Sequence, residues 1–520
     1  MAETFADDIY QKRLIVLCDG TGQASDTGGN HVPTNVTRFA RALAPSFRYV
    51  DSGDADGNLA HPEEGRWKEV PQIVLYQSGV GTEDSLGTGG AWAGIVGAGV
   101  DEHILQAYTF FVNNYEKGDY LYIFGFSRGA FTARALASFI CNAGLLKREK
   151  IQFLPILYKE YKDRLKPRTD KKTFSELLEE RKEDFATHDE VLIALLGLWD
   201  TVGSLGMPQT WVSTTRGLVT GSPGRHESPG HHDTSFPVAS SKENWKGHIW
   251  KAYQALALDE CRTSFQPTLL YAEKEALENA AVGHGTEFQQ VWFPGVHTDV
   301  GGGYSRAPGD ISDIALTWMI DMCSFQLQFR DQDALLRELR VPSSEGLDPS
   351  HPDKPPPAQT PWGLSKEHDE YHTAKFVGAG WVTRTPGQYF TNMKDEVEIV
   401  TNEAIHESVR YRMTNLKPKW EPPALAGFKL VKDKDGYYSW EKEVTTKKGK
   451  KTIPLREERS GELSSRLIGP EVQAELNGET INKNLKVNVI LVEEKGYTST
   501  LASATVNALA SPFKKIASFF

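Results

Sequence analysis

The chain has 520 residues, 39% of them hydrophobic and 24% charged, which is enough apolar mass for a large core and excludes disorder as the default expectation. The formal net charge of −11 argues against nucleic acid as a partner, because binding to phosphate backbones needs a surplus of Lys and Arg. The four cysteines, Cys18, Cys141, Cys261 and Cys323, are widely spaced, so the sequence suggests neither a disulfide framework nor a CxxC metal site.

The two ends of the chain bear on where it acts. Residues 1–13 lack the apolar core and the cleavage site of a secretory signal, and no apolar stretch reaches the roughly 18 to 20 residues needed to span a bilayer. We therefore expect a soluble, cytoplasmic protein. The C-terminal segment 501–520 mixes aromatic and aliphatic residues with two lysines, so peripheral membrane contact is one interpretation and a helix docked on the body is the other.

Several short, almost wholly apolar segments are typical of buried parallel strands, because each runs into a loop of Gly, Asp or His. They are residues 13–20, 72–81, 119–127 and 190–200, with 288–297 as a more amphipathic fifth. Between them, helical periodicity covers 34–43, 100–118 and 130–146. Strands that alternate with helices predict an α/β-hydrolase-like, doubly wound and mostly parallel sheet.

Other segments break this alternation. Residues 204–241 are rich in Gly, Ser, Pro and His and predict a lid or loop insertion, whereas the Pro-rich stretch 342–363 predicts a surface loop. The small, apolar stretch 91–100 fits either a flexible loop facing the substrate or plain packing between a helix and a strand. We expect a catalytic domain over 1–415 and a small, β-rich C-terminal appendage over 416–520, with 485–493 as one of its strands.

The clearest sign of chemistry is Gly-Phe-Ser-Arg-Gly at 125–129, between a predicted strand and a predicted helix. A nucleophile elbow needs this arrangement, because the turn exposes the serine hydroxyl while the glycines let the strand and helix backbones approach. We predict Ser127 as the nucleophile. The backbone amide of Arg128, at the start of the helix, is expected to donate one hydrogen bond to the oxyanion.

A serine nucleophile needs a histidine as base and a carboxylate that orients this histidine. His297 ends a predicted strand, and a glycine-rich turn follows it. Asp200 closes the strand 190–200 at the same predicted edge of the sheet, where open α/β sheets build their sites. We predict His297 and Asp200 for these roles. Asp299 and Asp259 remain competitors, and the segment 255–265 around Asp259 is interpreted as helical. Their alternative roles are loop capping for Asp299 and a buried ion pair with Arg262 for Asp259.

The first predicted strand leads into Asp19, Gly20 and Thr21, where such enzymes place a second oxyanion donor. The amides of Gly20 or Thr21 are the expected donors. The loop is also similar to that of haloacid-dehalogenase phosphatases, but the position of their nucleophilic aspartate is occupied by Leu17. Without that carboxylate no aspartyl phosphate forms. The cluster of His226, His231, His232 and Asp233 lies in a loop without fixed ligand geometry, and we predict no metal site there.

Longer motifs carry a family resemblance. The segments 16–22, 33–43, 107–140, 196–206, 255–268, 292–304, 384–389 and 403–413, together with the glycine-rich stretch from 79, are similar to the DUF2235 family, which includes the catalytic part of Tle1-type phospholipase effectors of bacterial type VI secretion. The resemblance implies an α/β-hydrolase fold and a serine triad at Ser127, Asp200 and His297, with Asp19 lining the site. It also implies a lipid or other acyl ester as substrate.

We therefore predict a serine esterase or lipase that forms an acyl-enzyme and needs no cofactor. Its partner is a small-molecule or lipid ester. A non-catalytic or effector-like binding module on the same scaffold is the second hypothesis, and a triad hydrolase acting on amide or thioester bonds is the third. Oligomeric state and headgroup preference are not encoded in these patterns.

Overall fold

A computed structural model describes the following residues, to which all structural statements apply: 11–20, 32–51, 66–79, 92–164, 172–189, 191–202, 238, 247–274, 286–304, 311–330, 362–368, 380–389, 399–446, 449–467 and 470–477. The chain divides into two compact units, of which the larger comprises Met1–Ala426 and Leu455–Lys483 and the smaller Gly427–Pro454 and Asn484–Phe520. The domain boundary expected at residue 415 stays a prediction.

The strands are β1 (Arg13–Cys18), β2 (Ser46–Asp51), β3 (Arg66–Gln77), β4 (Tyr120–Phe126), β5 (Val191–Trp199), β6 (Gly247–Ala257), β7 (Ala272–Glu273), β8 (Glu287–Phe293), β9 (Ile399–Val400), β10 (Glu403–His406), β11 (Lys429–Lys432), β12 (Tyr438–Thr446) and β13 (Gly449–Glu458). The helices are α1 (Asn35–Ala42), α2 (Trp92–Asn114), α3 (Arg128–Ala143), α4 (Leu154–Asp163), α5 (Phe174–Glu180), α6 (His297–Gly301), α7 (Ile311–Cys323), α8 (Glu407–Asn415), α9 (Glu462–Leu467) and α10 (Pro470–Leu476). Short 3-10 helices cover Arg148–Phe153, Thr263–Phe265 and Pro423–Leu425.

One large sheet organises the larger unit. Its strand order is β2-β3-β1-β4-β5-β6-β8-β10, and β10 also pairs with the last residues of β13. Every pair in it is parallel except β2 with β3. The predicted α/β fold with a mostly parallel sheet is therefore confirmed. In the smaller unit, β11 and β12 form an antiparallel pair.

The sheet is buried on both faces, as parallel sheets require. Alternate residues of β1 contribute to two separate apolar clusters: Leu14 and Val16 pack with residues of α2, α3 and α4, whereas Ile15 and Leu17 pack with residues of α1 and α7. Strands with two buried faces read as continuous apolar runs, which is why the sequence pattern of β1, β4 and β5 was informative.

The strand order also places the crevice where a ligand is expected. From β1 the chain runs outward to β3 on one side and then returns to β4 on the other, and Cys18 at the end of β1 pairs with Gly125 near the end of β4. In open α/β sheets, ligands bind at the carboxyl ends of the strands where the order reverses. Asp19 follows β1 there, and Ser127 follows β4.

Some local predictions were wrong. Residues 255–265, interpreted as helical around Asp259, are the end of β6, a bend and a 3-10 helix. The strand expected over 288–297 stops at Phe293, and the turn expected after His297 is the short helix α6. Residues 92–100 belong to α2, which excludes the flexible loop considered for most of 91–100.

Other predictions fall outside the described residues. They are the lid over 204–241 except position 238, nearly all of the Pro-rich loop over 342–363, the strand over 485–493, the terminal segment 501–520, Thr21, and the cluster of His226, His231, His232 and Asp233. Among the helices that the structure describes, none combines the length and the apolar character needed to cross a bilayer.

Candidate active site

Ser127 occupies a tight turn between β4 and α3. Its φ of 57° and ψ of −120° lie in a region that non-glycine residues rarely adopt. The turn is tied to the sheet, because the Ser127 amide donates to the carbonyl of Trp199 on β5 at 3.0 Å. Ser127 thus lies in a strained turn between a strand and a helix.

Close backbone packing explains why residues 125 and 129, two positions before and after Ser127, are glycines. A Cβ at Gly129 would collide with the carbonyl oxygen of Cys18 at the end of β1, and one at Gly125 would collide with the backbone of Gly129. Only a hydrogen at these positions lets α3 begin directly against β1 and β4. The start of α3 is thereby held at the crevice.

His297 and Ser127 are brought together by this packing. The two residues are 170 positions apart, yet His297 Nε2 lies 2.8 Å from Ser127 Oγ. The imidazole is the first side chain of α6 and is buried between two rings, with Phe126 at 4.7 Å and Phe265 at 5.0 Å between centroids. Its backbone amide donates to Glu260 Oε2 at 3.2 Å. Ring packing and this amide contact fix where the imidazole lies.

Asp200 lies on the other side of the imidazole. Its Oδ2 is 2.6 Å from His297 Nδ1, and its side chain has no exposed surface. The backbone at Asp200 has a φ of 39°, another unusual conformation for a residue with a side chain. Its amide donates to the carbonyl of Ala255 at 2.7 Å, and the amide of Ala257 donates to Oδ1 at 2.9 Å. Asp200 is therefore held by β6, a strand that the sequence analysis missed.

Arg384 is a member of the site for which sequence reasoning assigned no role. Its guanidinium contacts Asp200 through both nitrogens, Nη1 to Oδ1 at 2.6 Å and Nη2 to Oδ2 at 3.0 Å, with both side chains fully buried. It also donates to the carbonyls of Ala257 at 2.7 Å and Phe265 at 2.6 Å. The only signal was membership of the segment 384–389 in the family resemblance, because 184 residues separate the two partners.

These contacts decide the charge of the carboxylate. Burial raises the pKa of Asp200, but the Arg384 guanidinium and the bond to His297 outweigh it, so the pKa lies well below its usual range. Burial lowers the pKa of Arg384, and the charge of Asp200 more than reverses this effect. Asp200 is therefore an anion at neutral pH, in contact with one permanent cation and one imidazole.

The two competing carboxylates have other contacts. Asp299 accepts from the Val296 amide at 2.9 Å at the start of α6, and its other oxygen lies 2.6 Å from His368 Nδ1. Asp259 accepts from the Gly295 amide at 2.6 Å. Arg262, considered as a partner of Asp259, pairs with Glu260 at 2.7 Å instead. Neither competitor is hydrogen-bonded to His297.

The loop after β1 departs from the expectation for Gly20. Its amide donates to Asp19 Oδ1 at 2.6 Å and is therefore already engaged. The Asp19 carboxylate also accepts from the hydroxyls of Thr34 at 2.7 Å, Thr37 at 2.9 Å and Tyr76 at 2.7 Å. Burial raises the pKa of Asp19 against the effect of these hydrogen bonds. Asp19 anchors β3 and α1 to this loop, and Thr21 lies outside the described residues.

Arg128 begins α3, and a first-turn amide has no acceptor within its own helix. Its assignment as an oxyanion donor stays a prediction. Among the described residues, no group of three His, Cys, Asp or Glu side chains is arranged to hold a metal ion.

Comparison with known protein families assigns the chain to one of them. The profile described as T6SS, phospholipase effector Tle1-like, catalytic domain, matches residues 12–322, more than half of the chain. The chain belongs to this family. The match confirms the resemblance inferred from the motifs, and it covers Ser127, Asp200 and His297 but not Arg384.

Relatives of this Tle1-like protein are similar over limited regions. An uncharacterized protein of Saccharomyces cerevisiae is 40% identical over 111 residues, which is 21% of this chain and 16% of the yeast protein. The crystal structure of an uncharacterized protein from Pseudomonas aeruginosa is 18% identical with a TM-score of 0.32, and the match covers 64% of this chain and 47% of the other. The Tle1-like chain thus spans less than half the length of either relative.

Proposed function

We propose that this Tle1-like protein is a serine esterase that hydrolyses acyl esters of lipids, with Ser127 as nucleophile, His297 as general base and Asp200 as the orienting carboxylate. Membership of a phospholipase effector family supports a lipase or phospholipase function in general. One observation carries the finer assignment: Ser127 Oγ, His297 Nε2, His297 Nδ1 and Asp200 Oδ2 form a continuous hydrogen-bonded chain of 2.8 and 2.6 Å.

In the acylation step, Ser127 Oγ attacks the ester carbonyl carbon and its proton passes to His297 Nε2. The tetrahedral oxyanion accepts a hydrogen bond from the amide of Arg128 at the start of α3, where the helix dipole also favours negative charge. When the intermediate collapses, the bond to the alcohol breaks and the imidazolium returns the proton to the alkoxide. The product of this step is an acyl-Ser127 ester and a free alcohol.

Deacylation uses the same groups in reverse. Water loses a proton to His297 Nε2 as its oxygen attacks the acyl carbonyl, and the second intermediate releases the fatty acid and restores the Ser127 hydroxyl. Throughout, Asp200 accepts from Nδ1, fixes the tautomer and stabilises the imidazolium. Since Arg384 keeps Asp200 ionised, the carboxylate needs no deprotonation before the cycle begins.

Replacing the nucleophile tests the proposal. We expect Ser127→Ala to lower kcat for p-nitrophenyl and phospholipid esters by about 10³-fold or more, because no acyl-enzyme can form. Release of p-nitrophenol and of fatty acid measures this. A fluorophosphonate probe should label the wild type and not the variant.

Ser324→Ala is the matched control, because Ser324 lies in an exposed turn and its hydroxyl donates to the carbonyl of Asp321 in the same turn. It should retain both hydrolysis and labelling. Undiminished turnover in Ser127→Ala with the fold intact would contradict the assignment of the nucleophile. Absence of both hydrolysis and labelling in the wild type would leave the binding-module hypothesis.

A further inference from the structure

Buried arginines in the described part of the chain each have fixed partners. Burying a guanidinium without a partner is costly, so such pairing is expected. The pairs are Arg13 with the carbonyl of Gln326, Arg38 with Asp313, Arg134 with the carbonyls of Thr268 and Leu269, Arg262 with Glu260, Arg384 with Asp200, and Arg412 with the carbonyls of Gly363 and Ser365.

Arg128 differs from this set. Its side chain is half-buried, and in the part of the chain that the structure describes no carboxylate or other acceptor is paired with its guanidinium. Burial lowers the pKa of Arg128 to about 10, which still leaves it a cation at neutral pH. Asp19, the carboxylate on the neighbouring loop, is engaged by Gly20, Thr34, Thr37 and Tyr76 instead.

The position of Arg128 suggests which kind of group pairs with its guanidinium. The residue directly follows Ser127 and begins the 16-residue helix α3, whose positive dipole end also favours an anion. A half-desolvated cation at this place is compensated when an anion arrives with the substrate. This anion would lie within a side-chain length of the reacting ester.

We propose that the Arg128 side chain binds the phosphate of a phospholipid substrate while its backbone amide serves the oxyanion. This inference rests on the proposed function and extends it from acyl esters in general to phosphate-bearing ones. In a glycerophospholipid the phosphodiester lies a few bonds from the scissile ester, so one residue beside the nucleophile can meet both groups. A guanidinium suits phosphate because its planar N–H groups bind two oxygens at once.

Arg128→Met tests the inference, because it keeps the backbone amide and most of the side-chain volume but removes the charge. The substrates are a phosphatidylcholine and the diacylglycerol with the same acyl chains, presented in the same detergent micelles. We expect the ratio of kcat/KM for phospholipid over diacylglycerol to fall on the order of ten- to hundredfold, mainly through KM, since the phosphate contact is made in ground state and transition state alike. Arg148→Met, at an exposed surface arginine, is the matched control and should leave the ratio unchanged.

Thermal unfolding separates binding from a structural role. An unpaired, half-buried charge contributes nothing favourable to the fold, so Arg128→Met should keep or raise the Tm. A lower Tm, together with an equal loss on both lipids, would overturn the inference and make Arg128 structural.

Inhibition by inorganic phosphate shows whether the anion that Arg128 binds is the phosphate of a phospholipid or free phosphate. If phosphate inhibits diacylglycerol hydrolysis by the wild type but not by Arg128→Met, and the lipid ratio stays unchanged, the site takes free phosphate and the lipid assignment is wrong. If the wild type hydrolyses neither lipid, the proposed function falls as well. If it hydrolyses both and Arg128→Met preserves their ratio without phosphate inhibition, only the present inference falls.

Discussion

Asp200 is a carboxylate that a guanidinium and an imidazole share, and this sharing sets the properties of the site. Arg384 binds both of its oxygens, whereas the His297 imidazole contacts one of them. Against burial, which raises the pKa of Asp200, the guanidinium holds this pKa well below its usual range. Arg384 is therefore a positioning residue with an electrostatic effect on Asp200.

Substitutions at Arg384 should separate charge from geometry. Arg384→Lys keeps a cation but loses the fork, and we expect kcat to fall by about tenfold with little change in the pH dependence. Arg384→Met leaves Asp200 buried without its counter-charge, which should destabilise the fold by about 3–5 kcal/mol. Because loss of the counter-charge raises the pKa of the buried Asp200, the acidic limb of the kcat/KM profile of the surviving folded protein should move to higher pH.

The pH profile of ester hydrolysis by the two variants, with urea unfolding alongside, measures these effects. A purely structural arginine would lower activity in proportion to the folded fraction at every pH. Identical acidic limbs in wild type and Arg384→Met would therefore refute the electrostatic role.

Glycines allow the helices and strands around the site to approach each other closely. A Cβ at Gly301 in α6 would collide with the ring of Phe126, and this ring packs against the imidazole of His297. The distance between α6 and the end of β4 is thus limited to what a hydrogen allows. A shift of α6 relative to β4 would therefore also move the imidazole of His297.

Gly301→Ala should push Phe126 toward His297, lower the free energy of unfolding by about 1–3 kcal/mol and reduce kcat. Phe126→Leu makes room at the same contact. In the double variant the two effects should couple by about 0.5–3 kcal/mol in the compensating direction. Urea unfolding of the wild type, both single variants and the double variant measures the coupling, and strictly additive effects would contradict the packing argument.

At this scale, sequence predicts what is local. The elbow was predictable because β4, the serine and α3 are contiguous, and Asp200 because it closes an apolar strand. Only the end of β6, residues 255–257, was interpreted as helical, since its alanines and leucine fit either structure and only pairing with β5 and β8 selects a strand. The rest of β6 was not predicted. Arg384 could not be assigned, because its contacts depend on how distant segments pack. Whether Gly20 was free to donate depended on a side chain one residue away.

For the molecule as a whole, the buried side chain of His406 makes the free energy of unfolding depend on pH. His406 caps α8 by accepting from the Ser408 amide at 3.2 Å, and its ring stacks on Phe293 with no exposed surface. Burial lowers the pKa of His406 from 6.5 to about 3. The folded protein therefore keeps this ring neutral under conditions where the unfolded chain protonates it.

The direction of the change in stability with pH follows from the difference in the pKa of His406 between the folded and the unfolded protein. Stability from His406 is fully present above pH 6.5 and is lost progressively as the pH falls toward 3. Between pH 7.5 and 5.0 this loss is roughly 2 kcal/mol. His406→Asn keeps a side-chain acceptor at the cap. We expect this variant to be less stable at pH 7.5 but to lose about 2 kcal/mol less over the same interval. Urea unfolding at both pH values checks this, and equal losses in the two proteins would exclude His406 as the source.

The bond between Arg384 and Asp200 has a practical consequence for anyone who trims this chain. A fragment cut to the family match at 12–322 would retain Ser127, His297 and Asp200 but would leave behind Arg384, along with strand β10 that borders β8. Asp200 would be buried without its counter-ion, and the edge of β8 that pairs with β10 over Gln290–Trp292 would lie open. Such a minimal fragment should express as an inactive, aggregating species even though Ser127, His297 and Asp200 are all present.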